Sequence, residues 1–85
     1  MWKVINEVML ERQAQEAKWG VQNHDDFGWL PILAEEFGEV ANSMNEMQPG
    51  SDIEYELIQV AAVAVAWIES RRRQGLGEAG IHYHN

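Results

Sequence analysis

The sequence predicts an all-α protein, a small bundle of three main helices with a short C-terminal tail, completed by oligomerisation. Apolar residues recur at helical spacing from Leu30 to Met47. The segment from Ile53 to Arg73 is too long and too rich in alanine for a typical strand. Helix-ending residues, Gly20 and the pair Pro49-Gly50, separate these segments. We therefore predict helices at about residues 3–18, 30–48 and 52–74 of a single domain, residues 1–85.

The first helix carries a narrow apolar stripe, with Val4 and Val8 on one side. A polar segment of residues 19–28 follows, and we predict that it forms a loop. Trp19 and Trp29 bracket this loop, and we interpret them as residues at the edge of the core.

The second helix is predicted to begin near Pro31, which suits the first turn because its missing N–H has no partner there. Its apolar positions follow the spacing of a buried face. These are Leu30, Leu33, Phe37, Val40, Met44 and Met47. Because a helix advances about 100° per residue, Glu35, Glu36 and Glu39 fall within an arc of about 100° that flanks this stripe. Such a position suits a cleft between two helices.

The third helix is predicted to begin at a capping box, with Ser51 as N-cap and Glu54 at the third position. From Leu57 to Ile68 it is apolar nearly all round, which is typical of a helix at the centre of a protein. The cations of residues 71–73 stand where they stabilise a helix carboxyl end. A three-helix monomer of 85 residues could not easily cover this helix, so we expect a dimer or higher oligomer.

Composition excludes several classes of partner. The formal charge is −8, from 14 acidic and 6 basic residues, which argues against nucleic acid or an anionic membrane as the main partner. There is no cysteine for a disulfide or a thiolate metal site. The longest apolar run, Val60 to Ile68, has nine residues, whereas a membrane span needs about 20. With no secretory signal evident, we expect a cytoplasmic protein.

The acidic residues of the second and third helices could form a metal site. Glu36 and Glu39 are three residues apart, as are Glu56 and Gln59, so the two pairs can face each other on antiparallel helices. Several carboxylates suit Mg²⁺, or alternatively Mn²⁺, with positions left for water and phosphate oxygens. The alternative is that these glutamates only form a solvated helix face.

The acidic pattern resembles that of the MazG-like nucleoside triphosphate pyrophosphohydrolases, in the all-α NTP pyrophosphatase superfamily. The family pattern E-E-x-x-E, spacer, E-x-x-D is matched by Glu35–Glu39, a spacer of 16 residues, and Glu56–Gln59. The flanking sequence is similar to the phage-type and mobile-element branch over residues 7 to 70. The segments that carry this similarity are Glu11-Arg12-Gln13, Lys18-Trp19-Gly20, Trp29–Leu33 and Gln59–Val63.

The resemblance implies an enzyme that cleaves nucleoside triphosphates between the α and β phosphates, releasing a monophosphate and pyrophosphate. Such enzymes clear unwanted nucleotides and form dimers or tetramers with a shared helical core. By the same resemblance, Glu36, Glu39 and Glu56 would coordinate Mg²⁺, and Glu35 would be a nearby ligand or a water-orienting base.

The sequence departs from the family pattern at Gln59, where the family has aspartate. The glutamates alone could hold the metal, Gln59 could bind a water or a phosphate, or activity could have been lost. Two further functions therefore stay open: a catalytically silent nucleotide-binding or regulatory homologue, and a plain helical oligomerisation module.

The loop after the first helix supplies further candidates for substrate binding. Lys18, Gln22 and His24 could contact the phosphates or base of a nucleotide. Trp19 could stack on the base, with Trp29 a weaker candidate. Lys18 could equally be a cation that stabilises the helix end. His82 and His84 in the tail have no third ligand nearby and are interpreted as a solvated terminus rather than a zinc site.

Overall fold

A computed structural model of the protein describes residues 1–46 and 52–76 and shows three helices over these ranges. α1 spans Trp2–Trp19, α2 spans Asp26–Glu46 and α3 spans Ile53–Arg73. α3 packs against both other helices, whereas the backbones of α1 and α2 do not approach each other in the described ranges. The predicted all-α class and the central place of the third helix are therefore confirmed. None of the three helices is long and apolar enough to cross a membrane.

α2 and α3 form an antiparallel pair around a small core. Asp26, the first residue of α2, contacts Trp67 and Arg71 near the end of α3. Buried side chains of both helices then meet further along the pair. The core consists of Trp29, Val63 and Ala66, with Ile32, Leu33 and Trp67 packed around it.

α1 ends where the sequence predicts. Gly20 has a φ of 77°, which glycine adopts without steric cost, and its N–H donates to the Glu16 carbonyl oxygen at 2.7 Å. The helix limits lie within one residue of those predicted.

α2 begins four residues earlier than predicted. The Asp25 carboxylate accepts a hydrogen bond from the Gly28 N–H at 2.8 Å, and the Asp25 carbonyl accepts one from the Trp29 N–H at 3.0 Å. Asp25 therefore caps the helix, and Pro31 lies in the second turn rather than the first. The predicted loop of residues 19–28 shortens to residues 20–25.

The predicted buried face of α2 is wrong, because the observed face is rotated from it by roughly 60° about the helix axis. Leu30, Phe37 and Met44 are 56%, 65% and 58% exposed. Val40 is buried and Leu33 half-buried, but they belong to a face that also includes Trp29, Ile32 and Glu36. α2 carries two neighbouring apolar stripes, and α3 packs on the one that contains Trp29. Met47, the last residue of the predicted stripe, lies outside the described ranges.

α3 begins one residue later than the predicted capping box. Asp52 is its N-cap, with the carboxylate accepting from the Tyr55 N–H at 2.9 Å. The aspartate takes the position predicted for Ser51 because its carboxylate reaches the same kind of free N–H. The predictions for the tail, including His82 and His84, lie outside the described residues.

Candidate functional site

Glu36 is the central residue of an acidic cluster where α2 faces α3. Burial raises the pKa of its carboxyl group above the ordinary value, and the negative charge of neighbouring carboxylates raises it further. These neighbours, in decreasing order of effect, are Glu56, Glu35, Glu39 and Glu11. All three helices therefore contribute acids to one place. Glu36 faces α3 because it belongs to the same face of α2 as Trp29, which packs on α3.

The cluster has the donor chemistry of a magnesium site. It supplies only carboxylate oxygens, and a divalent cation would relieve the repulsion that raises the pKa of Glu36. In the conformation seen over residues 1–46 and 52–76, no three acidic or histidine side chains converge closely enough to hold a metal ion. The predicted Mg²⁺ ligands, Glu35, Glu36, Glu39 and Glu56, stay a prediction.

A cavity of about 220 Å³ lies beside this cluster, between α1 and α2. α2 contributes Glu35 and Glu36 to its lining, and α1 contributes Arg12 and Glu16. The core residue Trp29 lines it as well. Because α1 and α2 do not pack together, the cavity occupies the gap between them above α3. It has charged walls and an apolar base.

Arg12 is the only cation that lines this cavity in the described part of the chain. Its side chain is 12% exposed and joins two helices. The Nε atom donates to Glu69 of α3 at 2.8 Å, and Nη2 donates to Glu16 of α1 at 3.0 Å. Both glutamate side chains are about half exposed, at 47% for Glu16 and 48% for Glu69. The guanidinium is therefore held in one orientation by partners that can move into solvent.

Gln59 is buried in a pair of side-chain amides. The Gln15 Nε2 atom donates to the Gln59 Oε1 atom at 3.1 Å, which ties α1 to α3. The Gln59 Nε2 atom is buried and has no hydrogen-bond partner. At the position where the family pattern has aspartate, this chain thus has an amide whose oxygen already accepts a hydrogen bond.

The loop of residues 20–25 is anchored to the end of α3. Gln74 Nε2 donates to the His24 carbonyl oxygen at 3.0 Å, and Arg73 donates to the Gln22 carbonyl oxygen and the Asn23 side chain, both at 2.9 Å. The His24 ring meets the Trp29 ring edge to face, with centroids 5.0 Å apart. These contacts fix the loop beside the cavity.

Asp26 completes the joint between α2 and α3. It accepts hydrogen bonds from Trp67 Nε1 at 2.8 Å and from Arg71 Nη1 at 2.6 Å. The bond from Trp67, followed by the bond and charge of Arg71, lowers the pKa of Asp26 against the opposing effect of desolvation. These two hydrogen bonds therefore tie the start of α2 to the end of α3, at the end of the helix pair that lies away from the acidic cluster.

The predicted substrate-binding residues are only partly brought together. Trp19 and Gln22 line the cavity. Lys18 and His24 are outside the lining in the described residues, and the Lys18 ammonium lies 4.8 Å from the centre of the Trp19 ring. Gln59 is also outside the lining formed by the described residues, and its side chain accepts the hydrogen bond from Gln15.

Three polar residues that line the cavity, Arg12, Gln15 and Glu16, are not among the predicted site residues, although Arg12 lies in a segment that carries the family resemblance. The four-residue spacing of Arg12 and Glu16 is the usual signal of a helical ion pair, and it could have drawn attention to Arg12. Gln15 has no such signal, because its partner is 44 residues away.

Comparison with protein families, with curated proteins and with solved structures found no match to this chain.

Proposed function

We propose that the protein is a Mg²⁺-dependent nucleoside triphosphate pyrophosphohydrolase, acting in the cytoplasm to clear unwanted nucleotides. It would convert a nucleoside triphosphate, ribo or deoxy, to the monophosphate and pyrophosphate. The observation that carries this proposal is the position of Glu36 beside a cavity of about 220 Å³, where burial and the charges of other glutamates raise its pKa. The resemblance to MazG-like enzymes supports the same reading.

In this proposal Glu36, Glu39 and Glu56 would hold the metal, and Glu35 would orient and deprotonate the attacking water. A bound Mg²⁺ would neutralise phosphate charge and polarise the α phosphorus. Glu35 lines the cavity, where it can accept the proton of a water whose oxygen attacks that phosphorus. The bond from the α phosphorus to the bridging oxygen breaks, and pyrophosphate leaves.

The nucleoside would occupy the cavity between α1 and α2. Trp19 offers a ring for stacking, while Gln22 offers an amide for hydrogen bonding. Since the loop that carries Gln22 is tied to α3, this side of the site is preorganised.

We further propose that the chain works as a homodimer or homotetramer. Large apolar side chains are exposed along α2, among them Leu30, Phe37 and Met44. A face of this kind is unusual on a monomer and typical of a surface that a partner covers. A second copy of the chain would complete the bundle.

The test is pyrophosphate release from a panel of canonical and modified nucleoside triphosphates, with and without Mg²⁺. We expect metal-dependent release that Glu36→Gln or Glu39→Gln abolishes. Glu54→Gln is the matched control, because Glu54 is exposed and is not among the acids that raise the pKa of Glu36. Release that survives in both cluster variants would overturn the proposed site.

A second candidate, a catalytically silent nucleotide-binding homologue, is favoured by the Gln15–Gln59 pair. An amide engaged in the core adds no charge to the cluster and cannot act as a base. This candidate predicts that a non-hydrolysable triphosphate binds with Mg²⁺ while no substrate in the panel is turned over. Turnover by the wild-type protein would exclude it.

A further inference from the structure

The cavity between α1 and α2 has an acidic wall on α2 and a wall on α1 that carries both a cation, Arg12, and an acid, Glu16. Glu35 and Glu36 stand on the α2 wall, and Arg12 stands on the α1 wall. A ligand that is simply anionic would be repelled by the acids, and one that is simply cationic would be repelled by Arg12. The walls fit a ligand with both charges, such as a polyphosphate that carries a divalent cation.

Arg12 has the chemistry for the anionic part of such a ligand. A guanidinium binds phosphate through parallel N–H groups, and it does so best when its orientation is already fixed. The bonds to Glu16 and Glu69 fix Arg12 in this way. Its side chain is also largely removed from water, which strengthens a contact with phosphate.

The present partners of Arg12 are weak enough to be exchanged. The Glu16 and Glu69 carboxylates are about half exposed, so water can solvate either one after it leaves. Because water screens the half-exposed carboxylates, each of these ion pairs is weaker than one whose two partners are both buried. Losing one of them therefore costs little compared with the gain of a charge-assisted contact with phosphate.

We propose that Arg12 binds the phosphate chain of the metal-bound nucleotide, exchanging its contact with Glu69 for phosphate oxygens. This inference rests on the proposed function, since it takes a Mg²⁺–triphosphate as the ligand. Arg12 of α1 then binds the phosphate oxygens, whereas the acids of α2 and α3 face the cation. Glu69 competes with the ligand for the guanidinium.

The test measures binding by isothermal titration, so it needs no catalytic turnover. The probes are Mg²⁺ with an α,β-imido deoxynucleoside triphosphate, and Mg²⁺ with inorganic tripolyphosphate, which has no base. We expect Arg12→Ala to weaken both by about tenfold to a hundredfold, the range of a charge-assisted hydrogen bond. Arg12→Lys should recover only part of this loss, because an ammonium lacks the planar fork.

The Glu69→Gln variant separates a ligand role from a structural one. If Arg12 serves the phosphates, removing its competitor should tighten binding of both probes by about twofold to fivefold. If Arg12 only joins α1 to α3, Glu69→Gln should weaken binding as Arg12→Ala does. The controls are Arg72→Ala and Glu54→Gln, exposed residues that change the charge by the same amounts. Circular dichroism shows whether each variant is folded.

The results distinguish this inference from the proposed function. If the wild-type protein binds neither probe, both fail. If it binds them and Arg12→Ala binds equally well, or Glu69→Gln binds more weakly, only the role of Arg12 is overturned. Opposite effects of the two variants, with unchanged controls, would support it.

Discussion

Gln15 and Gln59 join α1 to α3 through one buried hydrogen bond, from Nε2 of Gln15 to Oε1 of Gln59 at 3.1 Å. Each residue is 8% exposed, and the Gln59 Nε2 atom has no partner. Glu56 lies one turn earlier on α3 and belongs to the acidic cluster. The amide at position 59 therefore connects the packing of α1 with the electrostatics of the candidate site.

We predict that Gln59→Asp destabilises the protein. The shorter side chain cannot keep the bond to Gln15, and it adds a buried charge beside the existing acids. The loss in free energy of unfolding should be about 1–3 kcal/mol at neutral pH, from the lost bond and unpaired groups. Urea denaturation measures it.

The matched control for this variant is Gln13→Asp, which makes the same change at an exposed position of α1. It should leave the free energy of unfolding nearly unchanged. Acidic conditions should reduce the loss in Gln59→Asp, because a protonated aspartic acid carries no charge. Equal stability of the two variants would contradict the structural role assigned to Gln59.

Local sequence signals predicted most of the helix limits but not the face that α2 buries. The positive φ of Gly20 follows from a glycine at a helix end, and the cap at Asp52 differs from prediction by one residue. Leu30 and Phe37 look as apolar as Trp29 and Ile32, so periodicity alone cannot decide which stripe meets α3. That choice depends on tertiary packing.

The candidate site was predictable where its residues share a helix or border the polar loop, as Trp19 and Gln22 do. Glu35 and Glu36 are found from their spacing, and both line the cavity. Arg12 is orientated by Glu69, and Gln15 pairs with Gln59, over 57 and 44 residues of sequence. Long-range pairs of this kind have no local pattern, so they become visible only in the folded chain.

We predict that Glu36→Gln stabilises the protein at neutral pH. The pKa of Glu36 is raised above the ordinary value of 4.5, first by burial and then by the charges of Glu56, Glu35, Glu39 and Glu11. Protonated Glu36 makes its full contribution to the free energy of unfolding below pH 4.5. This contribution is lost as the pH rises through the raised pKa. The neutral variant avoids this loss.

The pH dependence of thermal unfolding tests this prediction. The melting temperature of Glu36→Gln should exceed that of the wild type most at pH 7, and the difference should shrink as the pH falls below the ordinary pKa. Glu54→Gln, at the exposed start of α3, controls for the change in net charge. A difference that grows towards low pH would mean that the sign of the shift is wrong.

Asp26 should have the opposite pH dependence. Its pKa is lowered from 3.8, chiefly by the hydrogen bond from Trp67 and then by the bond and charge of Arg71. The stability that it contributes is present above pH 3.8 and is lost as the pH falls through the lowered pKa. Asp26→Asn should therefore reduce stability at pH 7 and lose its effect in acid.

A double-mutant cycle separates the partners of Asp26. Chemical denaturation of Asp26→Asn, Arg71→Gln and the double variant gives the coupling between the two side chains. We expect a favourable coupling at pH 7 that diminishes at high salt, since the ion pair is partly exposed. Strictly additive effects at pH 7 would show that Arg71 does not stabilise this joint.

We predict that Phe37→Ser weakens self-association of the chain. Phe37 is 65% exposed on α2, between the exposed side chains of Leu30 and Met44. In a symmetric dimer each copy would lose the contact, so the dissociation constant should rise by at least about a hundredfold. Sedimentation equilibrium over a range of concentrations measures it.

The control for this prediction is Trp2→Ser, which removes an exposed aromatic side chain from α1. It should have a much smaller effect on the dissociation constant if α2 forms the interface. A wild-type protein that stays monomeric at high concentration, or equal effects of the two variants, would contradict the assignment of this face.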